Sequence, residues 1–286
     1  MTALTRAALD ANPLPGIVDG DKETKGRILI IAGSREVPGA ALLAARAAMR
    51  TGAGKLRIAT VESMAPPVAV AMPEAMVVGL PEHRDGGFAG SAVAKIEELA
   101  AEADAIVAGP GMSPGNTCER ISDVLLGSPA SLALDAGILR SLQPLQKAEL
   151  DRPAMPILLP HAGELADLLE IAEAKVEADP IEAGHRAAQL YCSVVLVKGV
   201  TSHVVHPDSR AWTYKGGAPC LGVSGSGDVL AGIVGGLLSR GADPLAALLW
   251  GVWLHGEAGA VLAKTIGPIG FLAREIAEQV PALLPR

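Results

Sequence analysis

Short apolar runs of strand length alternate with longer helical stretches along most of this chain, and no other feature restricts its fold as much. Arg27–Ala32 (RILIIA), Lys55–Thr60 (KLRIAT), Ala105–Ala108, Ser131–Leu134 and Ile157–Leu159 read as buried strands. Helical stretches separate them: Gly39–Thr51, Ser91–Ala101, Thr117–Leu126, another after Leu134, and one from Gly163. Strands alternating with helices imply a parallel sheet covered on both faces. Val194–Val197, Ser202–Val205 and Ala211–Tyr214 follow one another across short turns and predict an antiparallel edge. The expected class is α/β, a mainly parallel central sheet with helices on both faces.

The last third predicts three helices. Asp228–Arg240 sets Val229, Leu230, Ile233, Val234, Leu237 and Leu238 on one stripe, and Pro244–Ala263 and Leu272–Val280 follow. Gly232, Gly235 and Gly236 each cost that first helix about 1 kcal/mol against Ala, which implies that it packs closely on something. Residues 1–26 read as a helix-capable arm followed by a Pro/Gly/Asp loop, with regular structure beginning at Arg27. Mid-chain there is no Gly, Ser or Pro-rich linker, so 1–286 is expected to be a single domain carrying that arm.

Composition narrows the function classes. Half of the 286 residues are hydrophobic but only three Trp, two Tyr and two Phe are present, so Ala, Val, Leu and Ile must fill the core; disorder is excluded. A net charge of −7 offers no footprint for nucleic acid or an anionic membrane. Cys118, Cys192 and Cys220 are odd in number and far apart, which disfavours a disulfide framework or a zinc site. The N-terminus lacks a signal-peptide core. The stretch from Val229 to Leu262 is interrupted by Ser239, Arg240, Asp243, Pro244, His255 and Glu257. A soluble, cytoplasmic protein is expected.

In an open parallel sheet, ligands bind beyond the carboxyl ends of the strands. Five loops fall there: Gly33-Ser34 to Ala40, Gly109-Pro110-Gly111, Asp135-Ala136-Gly137, Pro160 to Glu164, and Lys198 to Ser202. A sixth, Val223-Ser-Gly-Ser-Gly-Asp228, runs directly into an amphipathic helix. Glycines there can turn amides toward one point, and the helix dipole favours phosphate at it. Asp228 cannot usefully bind an anion, so its chemical role is a base taking a proton from an attacking hydroxyl. Alternatively Gly225 and Gly227 make a tight turn and Asp228 is a charge at a helix start. The glycines of the following helix favour the first reading.

No GxxxxGK[ST] occurs, so this is not a P-loop protein. Gly109 to Gly115 imitates a dinucleotide fingerprint, with Asp135 as the ribose acid, but its spacing is GxGxxxG and Pro114 lies where the helix should open. His161 faces either the crevice or a backbone carbonyl. Lys198 reaches a phosphate or snorkels at its strand end. His203 and His206 point to opposite strand faces, against a shared metal, and His255 reads as a core histidine.

Together, KGRILIIAGSREVPGAALLAARAAMRTGAGKLRIAT, AIVAGPG, LALDAG, ILLPHAGELADLL, VVLVKG, GSGDVLAGI and GVWLHGEAGA resemble the ADP-dependent NAD(P)H-hydrate dehydratases of the ribokinase-like superfamily, from about Lys25 to Leu284. The resemblance implies a ribokinase-like fold and repair of hydrated NADH or NADPH: an adenine nucleotide, ADP or ATP, phosphorylates the ring hydroxyl of the S-epimer and phosphate then leaves. By the same resemblance Gly225, Ser226 and Gly227 form the phosphate-binding turn, with Asp228 the base. Lys198, Gly199, Val200, Thr201 and Ser202 form the nucleotide loop. Ala40, Gly111 and His161, with Asp228, hold the hydrated dinucleotide. Departures from the family pattern are Lys215-Gly-Gly-Ala218 in place of an Asn-containing stretch, Leu159-Pro160 where a threonine is usual before His161, Ser202, and Ser226. Mg²⁺ is expected on general grounds, its ligands undefined by the sequence. A homo-oligomer is expected, and the family includes tetramers. The competing readings are a ribokinase-like kinase of a small alcohol and a nucleotide-binding protein without turnover.

Overall fold

The computed structural model describes residues 1–16, 25–145 and 153–285. Its strands are β1 (Thr2–Ala3), β2 (Arg27–Ile31), β3 (Lys55–Val61), β4 (Ala75–Leu80), β5 (Ala105–Ala108), β6 (Ser131–Leu134), β7 (Ile157–Leu158), β8 (Val194–Val197), β9 (Ser202–Val205) and β10 (Ala211–Tyr214). They form one sheet in the order β1-β10-β9-β8-β7-β6-β5-β2-β3-β4. From β8 across to β4 every pairing is parallel, while β9 runs antiparallel to both β8 and β10.

The helices are α1 (Arg6–Asp10), α2 (Gly39–Arg50), α3 (Ala65–Ala71), α4 (Val93–Ala101), α5 (Asn116–Gly127), α6 (Ala162–Leu169), α7 (Glu173–Ala178), α8 (Pro180–Leu190), α9 (Ser226–Ser239), α10 (Pro244–Thr265) and α11 (Ala273–Leu283). Side-chain alternation along the strands sorts them into two layers. Ile28 and Ile30 of β2 pack with α2, α9, α10 and α11; Leu29 and Ile31 pack with α4, α5, α6 and α8. This is the doubly covered α/β sheet expected from the alternation, with its antiparallel edge.

The glycines of α9 are explained by close contact with α2, its C-cap Thr51 and the sheet. A Cβ at Gly232 would lie 2.1 Å from the Ala44 carbonyl oxygen, and one at Gly236 would lie 1.9 Å from Thr51 Oγ1. At Gly235 it would meet Val107 Cγ2 of β5 at 2.2 Å. Thus α9 is wedged between α2 and the sheet with no room for side chains on those faces, and its N-terminus is set against the strand ends. Helix α10 is long and apolar enough to cross a bilayer, but 72% of its most apolar window is buried within the protein, and this core position accounts for its composition.

Three readings are corrected. Regular structure does not begin at Arg27: β1 extends the sheet beyond β10, and Leu9 of α1 is fully buried. Most of the loop read after it, residues 17–24, lies outside the described residues. The segment 65–80, passed over in the sequence, forms α3 and edge strand β4; paired prolines at the helix start and a half-exposed strand hid both. The helix expected after Leu134 is a 3₁₀ segment, Ala136–Ser141.

Candidate active site

The loops singled out in the sequence converge above the carboxyl ends of the parallel strands. Gly225 is the N-cap of α9 with φ +86°, and its missing side chain permits that left-handed turn. Leu43 Cδ1 lies 2.4 Å from where a Cβ would stand, and that side chain would have to move aside for one. Asp228 sits in the first turn of α9. The amides of Gly227 and Asp228, as first-turn groups, have no intrahelical acceptor and are free to meet an anion.

Opposite this turn lies a buried charge cluster. Lys198, just past β8, donates to Asp135 Oδ1 at 2.6 Å, and its Nζ is 3.8 Å from Glu164 Oε2. Asp135 caps the end of β6, its Oδ1 also accepting from the Ala136 amide at 2.9 Å. A Cβ at Gly227 would lie 3.7 Å from Lys198 Nζ and 3.8 Å from Asp135 Oδ2, so the pair faces the phosphate turn across a gap of one side chain. Burial opposes the Lys198 charge, but Asp135, Glu164 and Asp228 outweigh it and raise its pKa above the usual lysine value. Burial alone would favour a neutral Asp135, yet a carboxylate 2.6 Å from an ammonium stays ionised.

Asp228 is perturbed in the opposite sense from an ordinary surface carboxylate. Burial, and then repulsion by Asp135, push it up to about 6 against the attraction of Lys198. A carboxylate with a pKa near the working pH can both accept and release a proton.

The other wall is shaped by close backbone approach. Gly111 has φ +66°, and a Cβ there would come within 2.8 Å of both Ala40 Cβ and the Val37 carbonyl oxygen. Ala40, nearly fully buried, and Gly111 therefore form one smooth surface. Gly109, at φ +115°, lies against the Asp135 carbonyl, which ties this loop to the charge cluster. A cavity of about 300 Å³ opens beside Gly33, lined also by His83, Asp85, Met112 and Asn116.

His161 faces neither of its two expected partners alone. Its Nδ1 accepts from the amides of Gly163 (3.1 Å) and Glu164 (3.3 Å), capping α6, while the Glu164 carboxylate accepts from the His161 amide at 2.9 Å. The ring remains more than half exposed, with Nε2 3.5 Å from Glu164 Oε1. A bridge pairs His161 with Lys198, and the Lys198 amide donates to the Pro160 carbonyl at 2.9 Å, so both loops enter the crevice in register. Gly199 and Val200 project from its rim, Val200 fully exposed, and the Ser202 hydroxyl donates to the Gly199 carbonyl at 3.4 Å.

Two earlier readings change here. Lys198 does not snorkel but turns inward onto Asp135, and Asp135 is accordingly an ion-pair partner rather than a free ribose acid. Glu164 was not singled out as a site residue; His255, expected as a satisfied core histidine, is hydrogen-bonded as expected, and its partner is the turn. Glu164 carried a signal, an acid in the Pro160–Glu164 stretch that follows β7, the strand beside β8; the position of His255 carried none, because only packing brings α10 behind the turn. Its Nε2 is 2.9 Å from Ser226 Oγ. His203 bonds Thr213 and His206 pairs with Asp208, both away from the cluster.

Comparison with known proteins gives the same fold and a family. The sequence model of the NAD(P)H-hydrate dehydratase family matches residues 28–282. An ADP-dependent (S)-NAD(P)H-hydrate dehydratase of Xanthomonas campestris pv. campestris is 48% identical over 99% of this chain and 96% of its own length. A bifunctional NAD(P)H-hydrate repair enzyme of Moorella thermoacetica is 32% identical over 93% of this chain, which spans about half (50%) of that longer protein. Among solved structures, the ADP/ATP-dependent NAD(P)H-hydrate dehydratase of Bacillus subtilis, co-crystallised with ATP and Mg²⁺, superposes with a TM-score of 0.84 at 28% identity, covering 99% of this chain and 97% of the other. The match runs from the first central strand to the last helix, through every loop of the crevice, and the chain belongs to the NAD(P)H-hydrate dehydratase family.

Proposed function

We propose that this chain restores NADH and NADPH from their S-epimer hydrates, at the expense of ADP or ATP. The reading is carried by one observation: a half-buried carboxylate with a pKa of about 6, Asp228, stands at a glycine turn beside a partly buried lysine. The relatives' names support the same activity.

The terminal phosphate sits at the Gly225-Ser226-Gly227 turn, against the free amides of Gly227 and Asp228, where the α9 dipole and Lys198 offset its charge. Lys198 to Ser202 flank the rest of the nucleotide, and Ala40, Gly111 and His161 hold the hydrated nicotinamide end. Asp228 removes the C6 hydroxyl proton as that oxygen attacks phosphorus; the bond to the nucleotide's leaving oxygen breaks, and ADP becomes AMP. Phosphate then leaves with the C6–O electron pair, a proton is lost from C5, and the ring double bond returns. Mg²⁺ would supply further charge neutralisation on the phosphates. Among the described residues no group of three His, Cys, Asp or Glu is placed to hold a metal. With Asp135 and Glu164 engaged by Lys198, an ion there would be carried mainly by the phosphates and water rather than by a protein cage. A homo-oligomer is part of the same proposal and is read by sedimentation.

The test is recovery of NADH absorbance on mixing protein, Mg²⁺ and NADH hydrate, with ADP and ATP in parallel. A nucleotide-dependent rise that stops at the R-epimer supports the proposal. A stable phosphate ester in place of NADH would instead indicate a small-molecule kinase using the same turn and base.

A further inference from the structure

The phosphate turn is closed by its backbone, the Ser226 amide donating to the Val223 carbonyl at 3.1 Å, but has no side-chain anchor of its own. Gly225 and Gly227 have no side chains, and the α9 N-cap makes no side-chain hydrogen bond. Between these glycines the single side chain is that of Ser226, which is buried and turned away toward α10. There it meets His255, twenty-nine residues on: Nε2 lies 2.9 Å from Ser226 Oγ and 3.1 Å from the Ser226 carbonyl oxygen. A carbonyl oxygen only accepts, so Nε2 carries the proton and the tautomer is assigned by the network. Burial keeps the ring neutral, lowering its pKa to about 4. Helix α10 approaches closely enough because Gly251, one turn before His255, leaves Val234 of α9 room that a Cβ would take (2.6 Å).

We propose that His255 is a positioning residue for the reaction, gripping the first residue of α9 by both hydroxyl and carbonyl so that the turn's amides stay aimed at the transferring phosphate. This rests on the proposed function of the turn. A displacement of about 1 Å at such donors can cost on the order of 10²-fold in rate.

The experiment compares His255→Leu, which removes the donor, with His255→Gln, whose amide N–H reaches the Nε2 position. Turnover and Michaelis constants are measured for each, alone and with Ser226→Ala. In His255→Leu, kcat is expected to fall about 10- to 100-fold with KM for the hydrate within about twofold, while Gln recovers most of the loss. In the Ser226→Ala background, which keeps only the carbonyl contact, the leucine change should add less than it does alone. Equal loss in Leu and Gln, full additivity with Ser226→Ala, or an unchanged kcat would each overturn the proposal. If His255→Leu does not fold by circular dichroism, His255→Asn, too short to reach Ser226, replaces it against Gln. A wild type that binds ADP but turns over no hydrate overturns the proposed function alone, and the grip is then read as about tenfold weaker ADP binding in the leucine variant. A wild type that binds no nucleotide overturns both.

Discussion

Two glycine-rich loops in this protein each run into a helix above the parallel strands, and only one is equipped for chemistry. The first, Gly109 to Gly115, leads into α5; the second, Val223 to Gly225, leads into α9. In the first, glycines are demanded by backbone contact: Gly109 lies against the Asp135 carbonyl and Gly111 against Ala40 and Val37. Its helix opens after Gly115 with no side-chain cap and one acid, Glu119, in its first turn. In the second, the glycine turn faces a partly buried lysine between two carboxylates, and its own acid is raised to about 6. A loop of glycines before a helix shapes a surface; charge held out of water decides what that surface can do.

The sharpest way to break this contrast is Asp228→Asn. It should reduce turnover about 10³-fold or more while leaving ADP affinity by calorimetry within about threefold. Retained turnover would remove the base from the second loop and with it the distinction.

Lys198→Met comes next, with about 3 kcal/mol of lost stability in urea titration, because Asp135 is then left buried without its counter-charge. No loss would mean that the pair is dispensable to folding.

The pH dependence of Asp228 sharpens the comparison from another side. The folded-state pKa is raised, so the group favours folding below about pH 3.8 and loses that contribution as pH rises through about 6. Asp228→Asn should therefore be more stable than wild type at pH 8 by about 1–2 kcal/mol, the full linkage value being reduced by solvent in the crevice, with the gap closing toward pH 4. In the wild type, kcat/KM should rise with pH through an inflection near 6. A pH-independent gap, or an inflection unmoved in any Asp228 variant that retains turnover, would assign the titration elsewhere.

The smallest expected effect lies in the first loop, where Thr117→Ala at the start of α5 should change kcat by no more than about twofold. A large loss there would give the first loop a part in the chemical step as well as in holding the substrate.

Much of this architecture was legible before any coordinates. Buried parallel strands such as Ala105–Ala108 and Ser131–Leu134 are continuous apolar runs with sharp ends, and those ends coincide with the observed strands. The edge strand β4 was not legible, because a half-exposed strand beside a proline-started helix has neither a continuous run nor a clean alternation. Strand β1 is two residues long, and its pairing with β10 is a long-range event that no local pattern records. In the site, the Val223–Asp228 turn stood out because its glycines and acid are adjacent in sequence. The Lys198–Asp135 pair spans 63 residues, and the His255–Ser226 contact spans 29.

What the sequence determined by itself was local: strand and helix identity, which follows from periodicity within a few residues, and the turn whose chemistry lies within six positions. Only the tertiary structure decided that Lys198 turns inward, that Glu164 and Asp135 share it, and that His255 backs the turn. Those choices depend on desolvation and on distances between distant segments, and burial is a property of the packed chain as a whole rather than of any stretch of it.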